Sequence, residues 1–159
     1  MKQYFRTDLE IRPFQESDRY DVATLIREIL EEHELMQDPG GLSSDLAKLS
    51  KRYEGEGAGF WVLLDDGNVI GTIALRPYGE YTAEIERFYL HPKRRGIGLG
   101  CGLMQFIEEQ AKKKGYRRLF ISCSKKFTNA RKFLGSAEYR LVGSVESQNE
   151  EDLFEKELC

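Results

Sequence analysis

The chain has 159 residues, 40% hydrophobic and 32% charged, a balance that suits a folded protein with its own core and excludes a disordered chain. No run of about 18 apolar residues offers a membrane span, and a net charge of −3 argues against a general nucleic-acid coat. Cys101, Cys123 and Cys159 are odd in number, with no Cys-x-x-Cys pair or nearby histidine, so reduced thiols and no metal site are expected. The N-terminus lacks the apolar centre of a signal peptide, and the expected location is cytoplasmic.

Leu9, Ile11, Pro13 and Phe14 read as a first short strand. Glu16-Ser17-Asp18 carries capping chemistry ahead of Val22, Leu25, Ile26, Ile29 and Leu30, a stripe that predicts a helix over 18–32. Gln37-Asp38-Pro39-Gly40-Gly41 breaks the pattern. Ser43 and Ser44 can cap a second helix with Leu42, Leu46, Leu49 and Tyr53 on one face, ending at Glu54-Gly55.

From Gly59 the pattern turns to strands: residues 60–64, a hairpin turn at Asp65-Asp66-Gly67-Asn68, and a return over 69–75. Pro77-Tyr78-Gly79-Glu80 predicts another turn, and residues 81–90 a third strand in the meander. Leu99, Leu103, Phe106, Ile107 and Ala111 then form a helical stripe stopped by Gly115. Residues 117–122 follow as a strand, 128–137 as a helix, 139–145 as a strand, 146–151 as a polar turn and 152–158 as a last strand. The order predicts one domain over 1–159, with a mixed sheet of about seven strands flanked by about four helices.

Between the third meander strand and the next helix lies Arg94-Arg95-Gly96-Ile97-Gly98-Leu99-Gly100. Glycines there allow positive φ and close backbone approach, the first N–H groups of the helix lack intrahelical partners, and arginine suits phosphate oxygens. The segment therefore reads as a seat for a phosphorylated ligand. A dinucleotide fold would want the glycines after the first strand of a βαβ unit, and a triphosphate loop would want Gly-Lys-Ser/Thr at its end. Here the loop follows an antiparallel meander and ends Gly100-Cys101-Gly102. Basic clusters also concentrate in the second half, whereas Glu28, Glu31, Glu32 and Glu34 crowd the first. Those acids hint at a cationic acceptor or form a solvated helix face.

His91-Pro92-Lys93-Arg94-Arg95-Gly96-Ile97-Gly98-Leu99-Gly100 resembles the acyl-CoA motif of the GNAT superfamily of N-acetyltransferases, with Arg95, Gly98 and Gly100 at the motif's marked positions. The strand Ala83-Glu84-Ile85-Glu86-Arg87-Phe88-Tyr89-Leu90 is similar to the family's fourth strand, and the element order agrees from about Leu9 onward. The resemblance implies an α/β (α+β) fold with a mixed, mostly antiparallel sheet splayed between strands four and five. It implies acetyl-CoA as cosubstrate, its pyrophosphate on the backbone of Gly96, Ile97, Gly98, Leu99 and Gly100 with Arg95 alongside. The pantetheine arm would meet main-chain groups of Phe88, Tyr89 and Leu90, and also Asn129. Lys132 is either a partner of the adenosine phosphate or a surface lysine. The expected partner is a small-molecule or peptide amine, with no nucleic acid and no membrane, and a homodimer is admitted.

Acyl transfer to an amine needs that amine neutral. An alkylamine of pKa about 10.4 costs roughly 4.6 kcal/mol to deprotonate at pH 7, so a base is useful. Glu84 matches the family's fourth-strand glutamate, and Glu86 shares its face by strand alternation; both could alternatively be solvent-facing. Leu134 stands where many relatives carry the tyrosine that protonates the departing sulfur, leaving Tyr139, Tyr89 or water as substitutes. Cys101 and Cys123 are expected to pack, as are Phe60, Trp61, Phe88 and Phe106; His91 reads as a loop residue or a second base. The alternative function is an acyl-CoA-binding sensor or regulatory subunit with weak or no catalysis.

Overall fold

The computed structural model describes residues 4–5, 8–35, 48–145 and 150–159. Its strands are β1 (Leu9–Pro13), β2 (Gly59–Asp65), β3 (Asn68–Gly79), β4 (Thr82–Leu90), β5 (Arg118–Ser124), β6 (Arg140–Val145) and β7 (Glu151–Glu157). They form one sheet in the order β1-β2-β3-β4-β5-β7-β6. Every neighbouring pair is antiparallel except β4 and β5, which are joined by a long helical crossover and run parallel. The helices are α1 (Arg19–Glu32), α2 (Leu49–Arg52), α3 (Leu99–Lys113) and α4 (Thr128–Ser136). None among the described residues is long and apolar enough to cross a membrane.

Both faces of the sheet's centre are buried, which is why residues 60–64 are continuously apolar. Phe60, Val62 and Leu64 pack with Val22, Ile26 and Ile29 of α1 on one face. Trp61 and Leu63 pack on the other with Leu103 and Ile107 of α3 and Leu134 of α4. Ile26 and Ile107 have no exposed surface, and burying each such side chain contributes about 1.5–3 kcal/mol. The β2–β3 hairpin turns through Asp66 and Gly67 at φ of 51° and 81°, as a tight turn that follows strand twist requires.

Two strands are longer than their sequence suggests. β3 continues through Pro77 to Gly79, confining the turn to Glu80 and Tyr81. Proline is tolerated because β2 starts opposite Leu75, so Pro77 has a ladder partner on one side only, and the register shifts between Pro77 and Gly79. β5 likewise runs to Ser124, held along its length by β7. Of the expected second helix the described part is α2; Leu42, Ser43, Ser44 and Leu46 lie outside the described residues.

The pairing of β4 with β5 starts at Thr82 and Arg118 and ends at Ile85 and Ile121, although β4 continues to Leu90 and β5 to Ser124. The sheet therefore splays at its centre. Just past that point β4 carries a bulge: Arg87 and Phe88 together oppose Ile73 of β3, and Arg87 has φ of 50°. Thr72 Oγ1 donates to the Arg87 carbonyl at 2.6 Å and Arg87 Nε donates to Tyr53 Oη at 2.9 Å, which offsets the roughly 1–2 kcal/mol cost of left-handed backbone. The extra residue resets the strand's alternation. Arg87 and Tyr89 join the α1–α2 face, whereas Phe88 and Leu90 pack with the α3–α4 cluster.

Candidate functional site

Beyond Leu90 the chain makes a short 3-10 turn, Pro92–Arg94, with His91 Nδ1 accepting from the Lys93 N–H at 3.2 Å. Gly96 and Gly98 follow at φ of 78° and 88°. A Cβ at either position would meet nothing within 4 Å, so glycine serves the backbone conformation there and the turn's surface stays open. Gly98 is the N-cap of α3, and helix geometry leaves the N–H groups of the first turn without intrahelical acceptors. Gly100 is helical, with ordinary space around it.

The turn borders a cavity of about 560 Å³ lined by Phe88, Tyr89, Leu90, Arg95, Gly96, Gly98, Gly100 and Asn129 among others. The structure thus brings together eight of the ten residues picked for a cofactor. The other two do not line it: the Ile97 side chain is 60% exposed, and that of Leu99 packs in the core. Lys132 is exposed and lines neither this cavity nor the smaller one behind it.

Ile29 and His33, at the end of α1, form the far wall of the cavity. Arg95 Nη1 lies 3.0 Å from both carboxylate oxygens of Glu32, and the His33 ring meets Phe127 edge-on at 4.4 Å. Lys126 Nζ donates to the Glu34 carbonyl at 3.0 Å. Glu32 is therefore engaged with the glycine turn, whereas Glu28, Glu31 and Glu34 are exposed and line neither cavity.

A smaller cavity of about 60 Å³ fills the splay and shares Phe88, Tyr89 and Phe133 with the larger one. Glu84 and Glu86 line it on β4, with Ser122 and Cys123 on β5. Arg52 donates to both Glu86 oxygens, Nε at 3.0 Å and Nη2 at 2.9 Å, and Tyr53 O–H donates to one of them at 2.9 Å. Burial opposes the Glu86 charge, but these donors outweigh it and hold the carboxyl below its usual range. Glu84 behaves in the opposite sense. Burial, reinforced by the charge and hydrogen bond of Glu86, pushes its carboxyl up to about 8, against the pull of Arg52 and Arg76. Two glutamates a residue apart thus separate into a fixed anion and a group that exchanges a proton near neutral pH.

Several sequence expectations change here. Neither glutamate faces open solvent, and Glu86 is only 6% exposed. Tyr139 does not reach the cleft: it is buried, and its hydroxyl donates to Glu108 Oε2 at 2.9 Å beside Met104 Sδ at 3.1 Å. Tyr89 lines both cavities. Leu134 is 2% exposed and offers an apolar wall. Cys101 is no packing residue; it is exposed in the first turn of α3 and lines the large cavity. Cys123 is buried, and burial pushes its thiol up to about 12. Trp61, Phe60 and Phe106 are core, while Phe88 is half-buried and split between core and cleft. Arg52, Arg76 and Arg87 escaped the sequence reading because their placement depends on a chain reversal and a bulge.

The residues present suit an acyl-CoA. Two positive-φ glycines open a helix N-terminus to an anion, and the stretch of β4 past its pairing with β5 borders both the large cavity and the smaller one that Glu84 lines. The fold and site define a protein with a splayed mixed sheet and a positive-φ glycine turn at the edge of its larger cavity. The model of the acetyltransferase (GNAT) family matches residues 23–137, and the chain belongs to that family.

Among curated proteins it is 29% identical over 109 residues to YjgM of Escherichia coli, described as an uncharacterized N-acetyltransferase, covering 65% of each chain. It is 32% identical over 81 residues to N-acetyltransferase 8 of Mus musculus, covering 47% of this chain and 36% of that one. The chain spans less than two thirds of the length of both. A GNAT-family acetyltransferase structure from Staphylococcus aureus superimposes with a TM-score of 0.86 at 17% identity, over 95% of this chain and 99% of that one. The yncA structure from Salmonella typhimurium, which holds acetyl-CoA, gives 0.74 at 17% identity, over 96% and 95%.

Proposed function

We propose that the protein transfers an acetyl group from acetyl-CoA to a primary amine by direct attack, with both substrates bound together. The observation that carries this reading is the succession of the glycine turn, the stretch of β4 past its pairing with β5 and the Glu84 carboxyl along two adjoining cavities that share Phe88, Tyr89 and Phe133. The thioester supplies an acyl group already activated for transfer.

The chain holds and orients. Backbone N–H groups of residues 96–100 receive the pyrophosphate, and Arg95 exchanges Glu32 for it. Main-chain groups of Phe88, Tyr89 and Leu90, past the end of β4–β5 pairing, take the pantetheine arm as an added strand, with Asn129 at its side. Glu84 takes the amine's proton as the C–N bond forms and the C–S bond breaks. Burial suits it for this, since a carboxylate raised to about 8 is a stronger base than an ordinary one, and its ionised fraction grows as pH rises toward that value. Glu86, fixed as an anion by Arg52 and Tyr53, maintains that bias. Holding amine and thioester together supplies up to about 7–11 kcal/mol in favourable cases.

Leu134 leaves the sulfur without a side-chain acid at that position. A thiol of pKa about 8.5 departs as thiolate at a cost near 2 kcal/mol at pH 7, so the loss is tolerable. The competing reading, a sensor that binds acyl-CoA without turnover, rests on Leu134 alone. CoA release measured over polyamines, aminoglycosides, amino acids and peptides separates the two. Turnover of at least one amine is expected, falling about 10²–10⁴-fold in Glu84→Gln. Acetyl-CoA binding without turnover of any amine overturns the enzyme reading, and an active Glu84→Gln overturns the role of Glu84.

A further inference from the structure

Arg76 of β3 is the direct ladder partner of Glu84 and lies on the same face of the sheet. It is half-buried, forms no hydrogen bond or ion pair among the described residues, and its charge acts on the Glu84 carboxyl. Four other arginines on this face are engaged: Arg52 with Glu86, Arg87 with Tyr53, Arg118 with Glu157 and Arg140 with Glu155. Among the described residues, three cations thus lie close together around the two glutamates: Arg52 against Glu86, Arg87 against Tyr53, and Arg76 beside Glu84. That field opposes a polycationic acceptor. It favours an acceptor that brings a negative charge of its own.

The neighbouring strand completes the setting. Phe120 of β5 is the ladder partner of Glu84 on its other side, and the Tyr78 ring, two residues beyond Arg76, meets it edge-on at 4.3 Å. A base, an uncommitted guanidinium and an aromatic wall stand side by side on adjacent strands, about 5 Å apart along the row.

We infer that the acceptor is an amino acid, or another amine bearing a carboxylate a few bonds from its nitrogen, and that Arg76 receives the carboxylate while the amine faces Glu84. Guanidinium suits this task because its planar donors match both oxygens of a carboxylate. Binding the anion also screens the Arg76 charge from Glu84, so an occupied site carries a stronger base than an empty one. The inference rests on the acetyltransferase reading above.

The test compares acceptors that share a side chain and differ in the acid: phenylalanine, phenylalaninamide and phenethylamine, and glutamine against 4-aminobutyramide. For wild-type protein kcat/KM is expected to be at least about tenfold higher for the amino acids, the worth of one charge-assisted pair. In Arg76→Gln that ratio collapses toward one through a raised KM for the amino acids. Arg140→Gln, on the edge strand, keeps the wild-type ratio. Equal turnover of acids and amides, or a preference for polyamines, overturns the inference and leaves the acetyltransferase reading standing. An unchanged ratio in Arg76→Gln overturns the assignment of Arg76. Absence of turnover with every amine, in protein that acetyl-CoA fails to protect thermally, overturns both readings.

Discussion

At the scale of single residues, Glu84 and Glu86 show how neighbours of one chemical type acquire opposite tasks. The sequence places both on one strand face, but not the Arg52–Tyr53 donor set that holds one ionised and thereby burdens the other. The consequence for pH is specific. Glu84 accepts a proton only when ionised, so kcat/KM rises as pH increases through about 8, on top of the acceptor amine's own titration. Glu84→Gln removes the first limb and leaves the second, which a pH–rate profile with one amine checks directly.

Stability carries the same signature with the sign worked through. The Glu84 carboxyl titrates near 4.5 when unfolded and near 8 when folded, so the folded state holds the extra proton between those values. Stability contributed by the protonated form is complete below about 4.5 and declines as pH rises toward 8. Glu86 runs the other way: its folded value lies below the ordinary range, so its contribution is present above that range and fades as pH falls. Denaturant unfolding at pH 5 and pH 9 should show Glu84→Gln gaining relative to wild type at the higher pH. A constant difference at both values would remove the case for a buried, proton-exchanging Glu84.

At the scale of elements, the end of α1 and the glycine turn act on each other through Arg95 and Glu32. Both side chains are more than a third exposed, so the pair stabilises little, on the order of 0.2–1 kcal/mol. Glu32 nevertheless occupies the guanidinium proposed to receive the pyrophosphate. Glu32→Gln should therefore tighten acetyl-CoA binding about two- to fivefold, with kcat at saturating acetyl-CoA unchanged, as read by calorimetry and initial rates. Weakened binding would instead mean that Glu32 positions Arg95 for the cofactor. The glycines make a complementary case. Alanine at Gly96 or Gly98 must take positive φ, costing about 1 kcal/mol, whereas alanine at Gly100 meets only ordinary contacts. Acetyl-CoA affinity is expected to fall for the first two and to change little for the third.

Most elements were legible because their signals are local. The α1 and α3 stripes, the Asp66-Gly67 hairpin and the glycine turn depend on residues within a few positions of one another. The bulge at Arg87 was not, because it is fixed by Thr72 and Tyr53, which lie 15 and 34 positions away. Without it Phe88 and Leu90 would continue the face of Glu84 and Glu86; with it Tyr89 takes that side. Tyr139 misled for a related reason. Its N–H donates to the Leu134 carbonyl at 2.9 Å, but its hydroxyl is claimed by Glu108, 31 positions earlier on α3.

For the whole molecule, the cleft is a gap between two halves of a single sheet. Strands β1–β4 with α1 form one wall, β5–β7 with α4 form the other, and direct pairing of β4 with β5 covers only Thr82–Ile85 and their partners. A ligand that adds main-chain bonds to β4 past the end of its pairing with β5 and ties the α3 N-terminus to α4 braces both walls, and so opposes global unfolding. Acetyl-CoA at about 100 times its dissociation constant should add roughly 2.7 kcal/mol, raising Tm by roughly 5–11 °C for a chain of this size. Truncated ligands divide that gain between the walls. Adenosine 3′-phosphate 5′-diphosphate keeps the pyrophosphate but lacks the pantetheine arm and should give a smaller shift than CoA, since it engages the turn without lying along β4. Equal shifts from this nucleotide and from CoA would mean that the splay takes no part in binding, and the catalytic assignment of Glu84 would lose its geometric basis.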